Sequence, residues 1–322
     1  MAEALLEKIE PGEKVAPPEP GIYPNVSMDE YFAWDAVSAS LLKAMDKAPC
    51  FAKAYMDGLV ESSDALEFGR AAHTMAFERG RFDEQYLVAG QCEAELGTGK
   101  RKGQRCLNAG KVFRHGAWYC GQHDTDAVFP DEAEHLSVIS REDYDAIQGM
   151  ARALRENAEA ADILAGRGMN EVSIVWTEPD FPGLTFKARI DRWTDWHGWP
   201  THADLKNVAD ASERGFLFAV KKFGYHIQGA HYLSGANHAP VKGKKATPAQ
   251  RKFVFIAQEK KPPYAVGVWP LGPTTLAYAE RQRRRLIRRY IECLQADHWP
   301  GYQWQELELP PYMIDDEGGT DQ

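Results

Sequence analysis

The chain has 322 residues, of which 44% are hydrophobic, enough to bury the core of one large or two ordinary domains. It holds no apolar run near the roughly 20 residues that a membrane span requires. Its start, MAEALLEKIEPGEK, lacks the basic-then-apolar order of a signal peptide, so we expect a cytoplasmic protein without a membrane partner. Five cysteines, three of them in one short segment, favour metal binding over a secreted disulfide framework.

The net charge of −9 is unevenly distributed. Residues 92–123 carry six basic and two acidic side chains, and residues 277–291 carry six basic and one acidic side chain. Affinity for phosphate backbones comes mainly from Lys and Arg, so this polarity is compatible with an enzyme that holds DNA at one place. A solvated helix face, such as Arg281 to Arg289, explains basic clusters equally well. Charge alone leaves both interpretations open.

Residues 1–36 are rich in Pro, Glu and Gly without an apolar period, which predicts a flexible arm. The run that follows, VSASLLKAMDKA, predicts a helix that Ser38 or Ser40 can cap. Further on, ALEFGRAAHTMAF predicts a helix with His73 on its inward side. An inward histidine needs a polar partner.

Residues 91–125 interrupt this helical pattern with a Gly-, Cys- and Lys/Arg-rich composition, which indicates an inserted module. An amphipathic helix, REDYDAIQGMARALRENAEAADILAG, follows it, and then come three strand-like runs, EVSIVW, LTFKARIDRWTDW and THADLKNV. A helix through FLFAVKKFGYHIQGAHYLSG, a strand KFVFIAQE and a basic helix TTLAYAERQRRRLIRRYIECLQ complete the pattern. This order predicts an α/β domain over residues 37–310, before a disordered acidic tail at 311–322.

The segment ARIDRWTDWHGWPTHADLKN places Asp191 on one strand and Asp204 with Lys206 on the next. Strand alternation puts Asp204 and Lys206 on one face and Leu205 on the other. Neighbouring carboxylates repel unless a cation lies between them, and Mg²⁺ prefers oxygen ligands, so the arrangement favours a divalent metal that activates water against a phosphodiester. Lys206 could orient that water or stabilise the transition state. Because D-x-K is common, an ordinary solvated hairpin is the alternative.

Several further motifs occur in a fixed order around this hairpin. RID and DLK, separated by twelve residues, are preceded by VSASLLKAMDKAPCFAKAYMDG and FGRAAH and followed by YHIQGAHY and HWPGY. Together they resemble the PD-(D/E)xK nuclease superfamily, in particular its RecB-like branch and the RecE-like exonucleases (exonuclease VIII) of phages and prophages. The resemblance extends from Val37 to Tyr302, apart from the cysteine-containing insert.

This resemblance implies a restriction-endonuclease-like core, a central mixed sheet flanked by helices, with a divalent metal site. Asp191 and Asp204 match the metal-binding acids, for Mg²⁺ or Mn²⁺, and Lys206 matches the catalytic lysine. His73 matches a helix-borne histidine that joins the metal site; a buried histidine satisfied by a carbonyl is the alternative.

Three further residues match the family less directly. Gln228 and Tyr232 match a Q-x-x-x-Y motif near the active site, and residues four apart do share a helix face. Glu171 aligns with an acid that often precedes the metal-binding strand and would then be a metal ligand. A Glu near a strand start is also often solvent-exposed, so both interpretations stay open.

The function implied by the resemblance is exonucleolytic degradation of linear double-stranded DNA from an end, 5′ to 3′, in phage-type recombination. It also implies a homo-oligomeric ring and a single-strand annealing partner in a bacterial or phage-infected cell. Two alternatives stay open: a RecB-like or CRISPR-associated type of nuclease acting on single-stranded DNA, and a non-catalytic DNA-binding protein that keeps the fold. Intact Asp191, Asp204 and Lys206 argue against the second.

The insert carries four residues with the spacing C-x13-C-x13-C-x2-H. Four N/S donors suit a closed tetrahedral Zn²⁺ site, and metal binding would stabilise a Gly-rich segment with little apolar content. The predicted zinc ligands are Cys92, Cys106, Cys120 and His123. His115 is a possible competing ligand, and unpaired thiols in a loop are the alternative.

An iron–sulfur cluster occurs on four cysteines in some RecB-like nucleases, where the ligands are split between the two ends of the domain. Here the candidate ligands lie together between His73 and Asp191, and the fourth is a histidine. Cys50 and Cys293 have helical, partly apolar contexts and are interpreted as packing thiols. The sequence therefore favours zinc over an iron–sulfur cluster.

Basic residues of the insert could bind DNA phosphates, which would add affinity without sequence specificity. The proposed contacts are Lys100, Arg101, Lys102 and Arg105, together with Lys111 and Arg114.

Overall fold

The computed structural model describes residues 14–59, 64–114, 116–124, 136–240, 250–304 and 306–308. The strands within these ranges are β1 (Gly21–Tyr23), β2 (Tyr86–Val88), β3 (Val112–Arg114), β4 (Ala117–Tyr119), β5 (Ser137–Ile139), β6 (Gly168–Thr177), β7 (Thr185–Trp196), β8 (Trp199–Val208), β9 (Lys252–Glu259) and β10 (Val266–Pro270). The helices are α1 (Met28–Ala33), α2 (Ala39–Lys47), α3 (Pro49–Met56), α4 (Asp64–Phe77), α5 (Phe82–Gln85), α6 (Arg141–Glu156), α7 (Ala158–Ala165), α8 (Glu213–Lys222), α9 (Tyr225–His238) and α10 (Pro273–Ala296). The predicted tail at 311–322 and the candidate ligand His115 lie outside the described residues.

A six-stranded mixed sheet forms the centre of the fold, in the order β1-β6-β7-β8-β9-β10. Strands β8 and β9 are parallel, and the other neighbours are antiparallel. The hairpin between β7 and β8 turns at His197 and Gly198, whose φ angles of 50° and 76° suit the tight two-residue turns that match strand twist. The predicted mixed sheet and the predicted hairpin are both confirmed.

Helices cover both faces of this sheet. On one face, alternate residues of β6 and β7, including Ile174 and Phe186, pack against α2, α9 and α10. On the other, Leu205 and Ile256 pack against Phe77 of α4 and against α7. Burying an apolar side chain of this size contributes about 1.5–3 kcal/mol, so the two cores fix the strands that carry the site.

The described part of the N-terminal segment, residues 14–36, packs on the sheet, unlike the flexible arm that we expected. Strand β1 pairs with β6, and Tyr31 and Trp34 pack against Val175. The buried Lys187 ammonium donates to the carbonyls of Tyr31 and Trp34 at 2.9 and 2.6 Å, which satisfies the C-terminal end of α1. Composition missed this because a few aromatic residues and one distant lysine, rather than an apolar period, hold the segment. Residues 1–13 lie outside the described residues.

Two segments predicted as single helices are each two helices. Asn157 ends α6 with an extended backbone and caps α7 by accepting from the N–H of Ala160 at 3.0 Å. Gly224 separates α8 from α9 at φ 64°, a left-handed conformation that glycine adopts without strain. The apolar spacing continues across both breaks because the two halves pack against the same sheet, so periodicity alone did not reveal them. Ser38 caps α2 as predicted, by accepting from the N–H of Leu41.

The arginines of the basic helix α10 are not all exposed to solvent. Arg283 is 1% exposed, and its guanidinium donates to both carboxylate oxygens of Glu178 at 2.8 Å. Arg281, Arg285 and Arg288 are exposed. The interpretation of Arg281–Arg289 as one exposed face is therefore wrong at Arg283, because its charge pairs with the end of β6.

The cysteine-containing insert leaves the domain between β2 and β5, which pair with each other in parallel. Inside it, β3 and β4 form a small antiparallel hairpin. Among the described helices, none combines the length and apolar character needed to cross a bilayer.

Candidate active site

Strand β8 carries an acid and a lysine on the same face. The Lys206 ammonium lies 2.5 Å from Asp204 Oδ2, and Gln228 of α9 donates to Asp204 Oδ1 at 2.5 Å. Leu205, between them, is 2% exposed and belongs to the opposite core, as strand alternation predicted. Asp204 is 1% exposed, so its carboxylate lies in a nearly dry environment, where Oδ2 has the ion pair with Lys206 but no hydrogen-bond partner among the described residues.

Three potential metal ligands from three elements converge beside this pair. His73 Nδ1 of α4 lies 3.7 Å from Asp191 Oδ2 of β7 and 3.9 Å from Glu171 Oε1 of β6. One ligand atom of each residue lies within 4.8 Å of the other two. The sequence left the role of Glu171 open, and the structure places it in this group.

The backbone of Leu205 positions two of these side chains. Its N–H donates to Asp191 Oδ2 at 2.9 Å, and its carbonyl lies 3.0 Å from His73 Nε2. Because a carbonyl can only accept, Nε2 must carry the hydrogen. In the neutral ring, Nδ1 then has a lone pair directed toward Asp191 and Glu171, as a metal ligand requires.

The crowded carboxylates perturb each other. Burial, followed by the charge of Asp204, raises the pKa of Asp191 to about 7. Burial alone would lower the pKa of His73, but Asp191 and Glu171 outweigh it and raise that pKa to about 9. This group therefore attracts positive charge, which a proton on His73 or a metal cation can supply.

Lys206 remains charged at neutral pH. Burial acts to lower its pKa, but the charges of Asp204 and Asp191 outweigh that effect and raise the pKa above the usual lysine value. Its ammonium also lies 5.1 Å from the centre of the Tyr225 ring. A protonated lysine at this position can orient a nucleophile or stabilise developing negative charge.

The second residue of the predicted Q-x-x-x-Y pair, Tyr232, is half-buried and lies one helical turn after Gln228 on α9. Burial raises its pKa well above the usual tyrosine value. Tyr232 therefore stays neutral and supports Gln228, which in turn holds Asp204.

Glu171 has an unusual backbone for a strand residue, with φ at 50°. Only glycine adopts this left-handed region readily, and such strain is concentrated at functional sites. Its carboxylate accepts from Arg189 Nε at 2.8 Å, and Arg189 also donates to the carbonyl of Val26 in the N-terminal segment at 2.7 Å. The N-terminal segment thus helps to position a candidate metal ligand.

Two basic residues near the site were not predicted. Arg189 precedes Asp191 by two positions and so shares its strand face, a signal that alternation could have supplied. Lys43 of α2 lies 5.8 Å from the centre of the Tyr225 ring, on which Lys206 also packs. Burial, followed by the charge of Lys206, lowers the pKa of Lys43 to about 8. No local pattern marks Lys43, because only the packing of α2 brings it to the site.

A family model described as a PDDEXK-like domain of unknown function (DUF3799) matches residues 38–306. The chain belongs to this PDDEXK-like family. A search of curated proteins finds no significant match. Among solved structures, a candidate exonuclease from Eubacterium rectale superposes with a TM-score of 0.51 and 14% sequence identity, over 92% of this chain and all 100% of the other. At that identity the match shows a shared fold, and together with the family model it confirms the predicted PD-(D/E)xK-type core.

The donor set of this PDDEXK-like site fits a divalent cation. One imidazole nitrogen and two carboxylates, from His73, Glu171 and Asp191, suit Mg²⁺ or Mn²⁺. The sequence placed Asp204 among the ligands as well. In the structure Asp204 Oδ1 accepts from Gln228 and Oδ2 lies 2.5 Å from the Lys206 ammonium, beside the ligand group, and its role as a fourth ligand stays a prediction.

The insert brings its four predicted zinc ligands together. His123 Nδ1 lies 3.5 Å from the Cys92 sulfur and 3.4 Å from the Cys120 sulfur, and the four ligand atoms, including that of Cys106, lie within 4.8 Å of one another. The three thiols are at most 4% exposed and form no disulfide. A buried cluster of three thiols and an imidazole suits tetrahedral zinc.

Hydrogen bonds to sulfur act on two thiols of this cluster with different outcomes. At Cys106 the N–H of Asn108 acts to lower the thiol pKa, but burial and the neighbouring thiols outweigh it and raise that pKa. The side chain of Asn108 donates to the Cys120 sulfur at 3.6 Å, and its backbone N–H donates to the Cys106 sulfur at 3.5 Å. Burial raises the pKa of the Cys120 thiol, but N–H donors outweigh it and lower that pKa to about 6. Outside the cluster, Cys293 of α10 packs into the hydrophobic core, as its sequence context predicted.

The basic residues of the insert are not equally available. Lys100 and Lys102 are exposed, whereas Arg105 lies 2.5 Å from Glu93. Arg101 donates to the side chain of Gln104 at 3.1 Å and to a backbone carbonyl. The two lysines are therefore better candidates for phosphate contacts.

Proposed function

We propose that this PDDEXK-like chain is a metal-dependent DNA exonuclease that hydrolyses linear double-stranded DNA from an end, in the 5′ to 3′ direction. The observation that carries the proposal is the convergence of His73 Nδ1, Glu171 and Asp191 beside the Asp204–Lys206 pair. Direction and end dependence follow from the RecE-like resemblance.

The proposed roles follow from the contacts. The proposed ligands of Mg²⁺ or Mn²⁺ are His73, Glu171, Asp191 and Asp204; the first three converge within 4.8 Å of one another, and Asp204 lies beside them. When bound, the cation supplies electrophilic activation of the scissile phosphate and of the attacking water. Lys206 places its positive charge where the phosphate gains negative charge, and Asp204 orients Lys206. Gln228 fixes Asp204, supported by Tyr232.

The biological setting rests on the resemblance alone. We propose a role in phage-type recombination in the cytoplasm of a bacterial or phage-infected cell. A ring-shaped homo-oligomer would enclose the duplex, and a single-strand annealing protein would receive the product strand. Light scattering on the purified protein tests the ring directly, since a monomer at working concentration contradicts it.

The decisive experiment compares substrates that differ only in their ends. Purified protein is incubated with linear duplex labelled at the 5′ or the 3′ end, with closed circular duplex and with single strands, in Mg²⁺ or in EDTA. We expect Mg²⁺-dependent release of mononucleotides or short products from the 5′ label of linear duplex. Circles cut at the same rate contradict end dependence, and preferential cutting of single strands favours the RecB-like alternative.

Matched variants test the site itself. Asp204→Ala should lower the rate at least about 100-fold, the usual range for groups that act on the reacting atoms. Asp195→Ala removes an exposed acid from the same hairpin and should leave the rate unchanged. Full activity of Asp204→Ala would overturn the site assignment, and intact DNA with folded wild-type protein would favour the non-catalytic alternative.

A further inference from the structure

A cavity of about 660 Å³ opens directly beside the candidate active site. Asn207, the residue after Lys206 on β8, forms part of its wall. Tyr225 also lines it, and the Tyr225 ring packs against the Lys206 ammonium at 5.1 Å. A group held in this cavity therefore lies next to the phosphate that Lys206 would contact.

Aromatic rings on the cavity wall are exposed to solvent. Phe218 of α8 is 67% exposed, and Phe223, just after α8, is 49% exposed. Burying two phenylalanine rings would stabilise the fold, but here both are exposed in one concave wall. Exposed apolar surface of this kind is typical of a binding site. Flat apolar rings are the surfaces on which unpaired nucleobases stack.

Lysines surround these rings. Lys222, Lys260 and Lys261 line the same cavity. The wall also holds two acids: Glu259 accepts from the N–H of Ala211 at 3.1 Å, and Asp210 accepts from that of Ser212 at 2.9 Å. Three lysines against two acids leave the wall with a net positive charge, which complements a phosphate backbone.

The rings and the lysines together indicate one class of occupant. Stacking surfaces beside cations match an unpaired nucleotide rather than an apolar peptide.

We propose that this cavity, here called the Phe218 cleft, binds an unpaired segment of the DNA strand next to the scissile phosphate. Bases stack on Phe218 and Phe223, and the lysines contact the adjacent phosphates. Bases within a duplex are stacked on each other and cannot reach the rings, so the occupant is single-stranded. The inference rests on the proposed function, because it places the opened end of the substrate in the cleft.

Binding without hydrolysis tests the cleft directly. The affinity of the intact protein for a fluorescent oligothymidylate is measured by anisotropy in EDTA, at several salt concentrations. Phe218→Ala and Phe223→Ala should each weaken binding about tenfold, the usual effect of losing one stacking ring. Lys222→Ala should lower the salt slope by about 0.7, the value for one phosphate contact on a single strand.

The chain supplies matched controls. Leu217 is as exposed as Phe218, at 67%, and lies on the same helix outside the cavity, so Leu217→Ala should not change the affinity. Lys221→Ala is the corresponding control for Lys222→Ala. An abasic oligonucleotide should bind wild type and Phe218→Ala equally, because it offers no base to stack. Undiminished affinity of the Phe218→Ala, Phe223→Ala double variant overturns the proposal and assigns the cleft to another partner.

The two proposals fail in different ways. If oligothymidylate binds through the rings but linear duplex persists in Mg²⁺, the cleft stands and the exonuclease proposal falls. If duplex ends are degraded while the ring variants bind and cut like wild type, the exonuclease stands and the cleft assignment falls.

Discussion

The carboxylate of Asp191 accepts a hydrogen bond of 2.9 Å from the backbone N–H of Leu205. The backbone pairing of β7 with β8 runs from Trp196↔Trp199 to Arg192↔Ala203. Beyond this last pair, the N–H of Leu205 on β8 donates to the side chain of Asp191 rather than to a backbone carbonyl of β7. A candidate metal ligand is thus also part of the sheet, and its two tasks can be separated by substitution.

Asp191→Asn should keep the sheet contact and lose metal binding. Because burial and Asp204 raise the folded pKa of Asp191 to about 7, ionisation of this carboxyl destabilises the metal-free fold as pH rises from about 4 to about 7. In EDTA at pH 8 we therefore expect Asp191→Asn to be at least as stable as wild type in urea denaturation. Asp191→Ala should be about 1–3 kcal/mol less stable than Asp191→Asn, because the N–H of Leu205 loses its acceptor.

Asp195→Asn and Asp195→Ala, at an exposed position of the same strand, should stay within about 0.5 kcal/mol of each other. Equal stability of the two Asp191 variants would show that the Leu205 contact does not support the fold.

At position 171, replacement by glycine should give a more stable protein than replacement by alanine. Both substitutions remove the carboxylate, but only glycine adopts φ near 50° without strain, so Glu171→Gly should be about 1 kcal/mol more stable than Glu171→Ala. Denaturant unfolding in EDTA measures the difference. At Thr177, at the exposed end of the same strand, glycine should instead be the less stable of the two. The same order at both positions would contradict backbone strain at Glu171.

The hairpin of the candidate active site was predictable because its information is local. Strand alternation and a short turn suffice to bring Asp191, Asp204 and Lys206 together, and the order of the surrounding motifs added His73 and Gln228. The cluster of four candidate zinc ligands was predictable for the same reason, since their spacing lies within one short segment.

The remainder of the site depends on tertiary structure. The left-handed backbone of Glu171 has no sequence signature, and the contact of Arg189 with Val26 joins residues 163 positions apart. Phe218 and Phe223 read as ordinary apolar residues of an amphipathic segment. Only the folded chain shows that they are exposed in a cavity wall.

The cysteine cluster should bind one zinc ion per chain, and Cys106→Ser should abolish it. Three thiols and one imidazole within 4.8 Å form a closed site, and replacing one thiolate removes a quarter of the ligands. Elemental analysis of the purified protein measures the metal content. Cys50→Ser, outside the cluster, should retain a full zinc content.

Removing the zinc should affect the insert more than the nuclease core, because the insert is joined to the domain through the short β2–β5 pair. Protease cleavage within residues 92–124 should therefore increase in Cys106→Ser while the main unfolding transition persists. Loss of the main transition together with the zinc would contradict this division.

Exposed lysines of the insert should contribute to duplex binding through phosphate contacts. Each phosphate contact contributes about 0.9 to the steepness of log K against log salt concentration. Removing two contacts with Lys100→Ala and Lys102→Ala should therefore flatten the slope by about two. Lys53→Ala, at an exposed lysine of α3 paired with Asp57, serves as the control. Titration of duplex DNA in EDTA at several salt concentrations measures the slope, and an unchanged slope would remove the insert from the interface.

The buried pair of Glu178 and Arg283 should make stability fall at acidic pH. Burial alone would raise the pKa of Glu178, but hydrogen bonds and charge from Arg283 outweigh it and lower that pKa to about 2. Since the folded pKa lies below the unfolded value of about 4.3, the stabilisation is present above pH 5 and is lost as pH falls toward 2. Its size is on the order of 3 kcal/mol, because each pKa unit corresponds to about 1.4 kcal/mol.

Glu178→Gln should therefore be about 3 kcal/mol less stable than wild type at pH 7, and the difference should shrink steadily between pH 5 and pH 2. Urea denaturation across this range measures both curves. Asp180→Asn is the matched control, since its partner Arg284 lies on the same helix but Asp180 is 62% exposed, and an exposed pair contributes at most about 1 kcal/mol. A constant difference between wild type and Glu178→Gln from pH 7 to pH 3 would show that the charge of Glu178 does not stabilise the junction between β6 and α10.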